Sequence, residues 1–216
     1  MEEAFSNILF MVFIGGVLVL AVSLVFYYQF LRRRAFLEIA SELGLQYYYR
    51  SYAIPRRFAF LHQQRRGRGR HAFNILRGYW QGAEVLVFDY KFNTGIGREK
   101  TWHYCSFSAL RHARTHPAMR IYPKAMMDVL GNIFGFDEVF LNVPEFDDKF
   151  TVYSVDEAYA RQVCVPPLIE YLLRHPEFSI EVEDGWMALG VAELLAPEQI
   201  PKRLRQLEKI RAMLAL

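Results

Sequence analysis

An uncharged run close to the N-terminus constrains this chain more than any other feature. No Asp, Glu, Lys or Arg occurs from Ala4 to Leu31. Within that stretch, Ile8–Tyr28 supplies 21 residues, close to the ~20 that an α-helix needs to cross ~30 Å of hydrocarbon. A core helix of a water-soluble domain would carry a polar stripe, and this run has none. A cleaved leader would open on basic residues, be shorter and close on small ones. Here the chain opens on Met1-Glu2-Glu3, and the run closes on Phe26-Tyr27-Tyr28-Gln29-Phe30. The sequence therefore predicts one transmembrane helix that stays in the protein.

The flanks set its expected direction. Arg32, Arg33 and Arg34 follow the run, whereas the other side is acidic. Basic flanks stay on the cytoplasmic side, so the N-terminus is expected outside and the remaining chain in the cytoplasm. Tyr27, Tyr28 and Phe30 stand where an interfacial aromatic belt belongs. The overall charge of +3 hides a local excess: residues 32–70 hold ten Arg against Glu38 and Glu42. Basicity is thus a feature of the membrane exit, and a domain-wide nucleic-acid footprint is not expected. Two cysteines, Cys105 and Cys164, are too few for a disulfide framework.

Hydrophobic periodicity beyond the exit predicts an α+β domain, mainly an antiparallel sheet with helices packed on one side. A helix over 33–43 should end at Gly44, followed by a strand at 46–50 and a loop over 63–70. The run 83–94 alternates, with Val85, Val87 and Asp89 on one face and Leu86, Phe88, Tyr90 and Phe92 on the other. It pairs with 99–107 around a Gly-containing loop, and 72–80 adds a third strand across the turn Gln81-Gly82. Further strands are expected at 119–123 and 150–154, with a hairpin around Asp184-Gly185. Helices are expected over 124–134, over 156–174 with a break at Pro166-Pro167, and from Pro197 to the end. The expected organisation is a tail and transmembrane helix (1–31), a basic juxtamembrane segment (32–70) and the cytoplasmic domain (71–216).

The basic residues Arg32, Arg33, Arg34, Arg65, Arg66, Arg68 and Arg70 are the candidate site. Anionic lipid headgroups are their nearest partner, each Arg near the surface contributing ~1 kcal/mol of attraction. The Arg-Gly run over 65–70 could instead grip RNA, but it is short and lacks aromatic interleaving. His112 and His116 stand i,i+4, yet no H-E-x-x-H or C-x-x-C accompanies them, so no metal or other cofactor is expected. His103 and Cys105 share a strand face and, with Asp89, are the residues an unrecognised enzyme would use. Asp137, Glu138, Glu145, Asp147 and Asp148 read as solvated loop residues and helix caps. The C-terminal helix is expected to cover the domain's own sheet.

The stretch NILRGYWQGAEVLVFDYKF and the later PEFDDKFTVYSVDEAYAR, behind the membrane helix and basic exit, resemble a loose group of uncharacterised bacterial membrane-anchored proteins. The shared phrase is matched by Gly78, Gly82, Val85, Val87, Phe88, Asp89 and Tyr90. The resemblance implies a bacterial inner-membrane location and no particular activity. The sequence as a whole leads to a tethered, non-enzymatic module that binds a protein partner or the membrane surface.

Overall fold

The computed structural model describes residues 2–58, 68–95, 97–126 and 136–214. Helix α1, Glu2–Glu42, is unbroken for 41 residues. Its stretch Phe13–Glu42 contains a window long and apolar enough to cross a membrane, and none of that window is covered by the rest of the protein. The far end of the same helix enters the domain: Phe36 and Ala40 are buried in the main core. Gly44 then takes a positive φ of 66°, which lets the Leu45 amide reach back to the Ala40 carbonyl and stop the helix.

Nine strands form one sheet among the described residues. They are β1 (Gln46–Ser51), β2 (Arg68–Trp80), β3 (Ala83–Thr94), β4 (Thr101–Arg111), β5 (Met119–Pro123), β6 (Asp137–Val139), β7 (Phe150–Ser154), β8 (Ser179–Glu183) and β9 (Trp186–Val191). The spatial order is β1-β2-β3-β4-β9-β8-β5-β7-β6, with every pairing antiparallel. The helices after α1 are α2 (Ile54–Arg57), α3 (Pro144–Lys149), α4 (Glu157–Val163), α5 (Pro166–Leu173) and α6 (Ile200–Met213).

The two turns flagged by their residues form as the chemistry requires. Gln81 and Gly82 have φ of 49° and 82°, and Asp184 and Gly185 have 51° and 74°. Paired positive φ matches the right-handed twist of the flanking strands. The alternation in β3 also holds: Val85 and Val87 join the core under the helices, while Leu86, Phe88, Tyr90 and Phe92 join a second cluster on the other face. Ile200, Leu204, Leu207, Ile210 and Leu214 of the C-terminal segment are buried on the domain's own sheet.

Three features differ from expectation in detail. The second face of the sheet has a core of its own, with Phe58 and Ile54 packed against Phe88, Phe107 and Trp186. Residues 137–139 pair with β7 as an edge strand, and 144–149 form a helix. In that region Asp147 accepts from the amides of Leu141 and Val143. Strand β2 begins at Arg68 and α1 runs through residue 31, so the expected boundaries after 31 and after 70 fall inside elements. The helix expected over 124–134 lies mostly outside the described residues.

Candidate functional site

The site is built where α1 leaves the sheet. Arg32 Nη2 donates to Asp89 Oδ2 at 2.9 Å and to the Leu195 carbonyl at 2.8 Å. The same carboxylate oxygen accepts from Asn74 Nδ2 at 2.9 Å, and Asn74 Oδ1 accepts from the Tyr47 hydroxyl at 3.2 Å. Asn74 can reach Asp89 because it sits in a bulge of β2, with the ladder register shifting between Phe73 and Leu76 and φ at 49°. Asn tolerates this left-handed backbone better than most residues. Asp89 is 1% exposed. Burial pushes its carboxyl above the usual carboxylate range, against the pull of Asn74 and Arg32. This cluster clamps the apolar helix α1 to strands β2 and β3.

Outward from the clamp, the strand register lays down successive rows on one face. Arg50, Phe73, Asp89 and Ser106 are cross-strand neighbours, followed by His71, Lys91 and Tyr104, then by Asn93 and Trp102. Each row advances ~6.6 Å along the strands, and each turn of α1 retreats ~5.4 Å towards its N-terminus. The two walls diverge from Arg32 to enclose a cleft of about 1060 Å³. One wall comes from α1 and is apolar at Leu24, Val25 and Leu31 before turning basic at Arg32 and Arg33; the other is basic and aromatic and comes from β1–β4, with Tyr49, Arg50, Lys91 and Tyr104.

The cations of this cleft are held by rings. Lys91 Nζ lies 4.7 Å from the Trp102 ring centre and 5.9 Å from that of Tyr104. Arg33 lies 5.6 Å from Tyr49 and Arg50 lies 5.4 Å from it, and Arg50 also donates to the Tyr52 hydroxyl. Among the described residues, no carboxylate pairs with Arg33, Arg50 or Lys91. Elsewhere, Arg77, Arg111, Arg161 and Arg211 each find one.

The predicted site residues have different fates. Arg32 turns into the domain, while Arg33 and Arg34 are exposed beside it. Arg70 is half-buried in β2, only the backbone of Arg68 is described, and Arg65 and Arg66 lie outside the described residues. Arg50 and Lys91 were missed. Lys91 stands two positions after Asp89 on the same strand face, so the alternation already placed it beside the clamp.

The residues considered for catalysis are embedded in packing. His103 stacks on Phe92 at 5.0 Å and hydrogen-bonds Thr94. Cys105 shares its face but is buried, and burial pushes its thiol far above the usual range, away from the nucleophilic thiolate. His112 and His116 are not on a helix, yet their rings lie 5.3 Å apart. No group of three or more His, Cys, Asp or Glu able to hold a metal occurs among the described residues.

Fold and site together define an α+β domain clamped to the end of an apolar N-terminal helix. A solved structure with the same fold is the mycobacterial trehalose monomycolate transport factor A, TtfA. It superposes with a TM-score of 0.61 at 18% identity, over 84% of this chain and 93% of that one. No protein-family model matches the sequence, and no curated protein matches it. The likeness is therefore one of fold.

Proposed function

We propose that this chain is a single-pass membrane protein, N-terminus outside and domain in the cytoplasm, acting as a non-enzymatic module at the bilayer surface. The carrying observation is the clamp: α1 passes without a break from its apolar stretch into the sheet and is tied there through Arg32 and Asp89. A domain held this way cannot drift on a tether. The end of the sheet formed by Arg50, Tyr52, Arg70, Trp102 and the turn around Lys100 is brought to the headgroup layer. That end is rich in the aromatic and basic residues that favour this layer. Arg33 and Arg34, with Arg65, Arg66, Arg68 and Arg70, add attraction to an anionic leaflet in this reading. The basic exit supports the orientation, and a bacterial inner membrane is the location the sequence resemblance implies.

The fold shared with a protein described as a transport factor fits a membrane-associated role without chemistry of its own. A protein partner is part of this reading.

The test uses the fluorescence of Trp102, which is 40% exposed. In the full chain reconstituted in vesicles with brominated lipids, emission should be quenched relative to unbrominated lipids. That quenching should vanish in Trp102→Phe, since Trp186 is buried and Trp80 lies at the opposite, hairpin end of β2. Equal emission in both lipids would put the sheet end away from the bilayer and end this reading.

A further inference from the structure

We propose that the cleft between α1 and strands β1–β4 is a binding site for a single anionic phospholipid. The inference rests on the surface placement above and goes further: it names an occupant. Its headgroup phosphate would sit among Arg33, Arg50 and Lys91, and an acyl chain would lie along Leu24, Val25 and Leu31.

Three observations carry it. The first is polarity. The cleft has an apolar stretch on α1 that gives way to Arg32 and Arg33, and a basic and aromatic wall on the sheet, so a solely polar ligand would leave the first unused and a solely apolar one the cations. An amphiphile suits both.

The second is charge. Arg32, Arg33, Arg50 and Lys91 line the cleft, and its described lining contains no Asp or Glu. Arg32 is already engaged by Asp89, so the clamp consumes one of the four cations and leaves the other three without a carboxylate. Aromatic faces hold their side chains in place, and apart from the Arg50 bond to the Tyr52 hydroxyl their N–H groups are left for a ligand. Arginine and lysine positioned in this way are suited to a phosphate.

The third is level. Leu24–Leu31 is the last part of the uncharged run, the part nearest the basic exit. Leu24 and Val25 precede the aromatic belt of Tyr27, Tyr28 and Phe30, so the far end of the α1 wall reaches acyl-chain depth when Arg32 and Arg33 stand at headgroup depth. A membrane lipid can enter sideways without leaving its leaflet. The volume of about 1060 Å³ lies just above the range of ordinary ligand clefts.

The experiment is native mass spectrometry of the full chain released from nanodiscs of phosphatidylcholine with a minor share of phosphatidylglycerol. The wild type should retain one phosphatidylglycerol per chain, enriched over its share in the disc. In the double variant Arg50→Gln/Lys91→Gln that enrichment should fall about tenfold. Arg161→Gln should keep it, because Arg161 pairs with Glu157 on α4 and is not part of the cleft lining. Both Arg50 and Lys91 are at least partly exposed, and unchanged near-ultraviolet circular dichroism would show that the double variant is folded.

Retention of phosphatidylcholine and phosphatidylglycerol in proportion to the disc would overturn the proposal, as would undiminished enrichment in the double variant. Occupancy by added inorganic phosphate with no lipid retained would assign the cations to a soluble anion and overturn it too. Quenching of Trp102 by brominated lipid without selective retention would sink the cleft while leaving the surface placement intact.

Discussion

At the scale of single residues, the Arg32–Asp89 pair decides how the apolar helix and the domain are joined. Asp89 lost its water on folding, and Arg32 is one of the groups that keep its carboxyl from rising further. Replacing Arg32 by Ala leaves a buried carboxylate without its cation. Such losses cost about 3–5 kcal/mol in buried pairs. With Arg32 17% exposed, water screens part of the loss, and about 3 kcal/mol is expected at alkaline pH.

The pH dependence has a definite sign. Asp89 has a folded pKa above its unfolded one, so its contribution is fully present below the unfolded value and is lost as pH rises through the folded one. Removing Arg32 raises the folded pKa further and widens that window upward. The deficit of Arg32→Ala against the wild type should therefore grow from mildly acidic to alkaline pH. Urea unfolding of the full chain in micelles measures it, and a deficit independent of pH would mean that Arg32 acts through its contact with Phe36 and its bond to the Leu195 carbonyl, not through Asp89.

A second buried charge cluster lies further along the sheet. Arg120, 1% exposed, meets Glu181 at 3.1 Å and Glu183 at 2.9 Å. Burial pushes the Glu181 carboxyl up to about 8 despite Arg120. Alternation in β5 and β8 put these side chains on the face away from the helices, where solvent was the natural expectation for charged groups.

At the scale of elements, strand order depends on close packing at Gly190. It pairs with Phe107 of β4 and Ser179 of β8. A Cβ there would stand 2.7 Å from the Phe107 ring and 2.5 Å from Ser179 Oγ. Gly190→Ala should cost about 1–3 kcal/mol by overpacking, read as a lowered melting temperature. Gly16→Ala, with nothing within 4 Å of the added carbon, should leave the melt unchanged. Equal melts for both variants would show that β4, β9 and β8 can shift apart freely.

The elements whose chemistry is local were legible in the sequence. The hairpins at Gln81-Gly82 and Asp184-Gly185 followed from residues that accept positive φ, and α6 followed from its apolar spacing. What stayed hidden depends on partners distant in the chain. Residues 137–139 look like an acidic loop and become a strand only because β7 offers an edge. Arg32 looks like a topogenic charge and becomes a structural one only because Asp89, 57 residues later in the chain, is buried on the face that α1 meets. Lys91 gains its meaning from Trp102 across the hairpin and from a helix 60 residues earlier in the chain, as its cleft neighbours Leu31 and Tyr104 attest.

At the scale of the whole molecule, the placement requires one orientation. Protease added to intact cells should spare the domain, and the same protease should digest it in inverted membrane vesicles. Digestion in intact cells would turn the molecule over and leave the basic exit facing the wrong side. The clamp itself would survive that reversal, because it is a contact within the chain.

The unbroken passage of α1 from its apolar stretch into the sheet gives the domain a fixed bearing about the helix axis as well as a fixed distance along it. An α-helix turns about 100° and rises 1.5 Å with each residue. One residue added between Tyr28 and Arg32 would swing the apolar wall away from the sheet end while scarcely changing the depth of the span. Two helices of this kind associating in the bilayer would also dictate which faces of their domains meet. The spacing between the last lipid-facing turn and Arg32 therefore works as a compass setting, written in the count of residues and independent of their hydrophobicity.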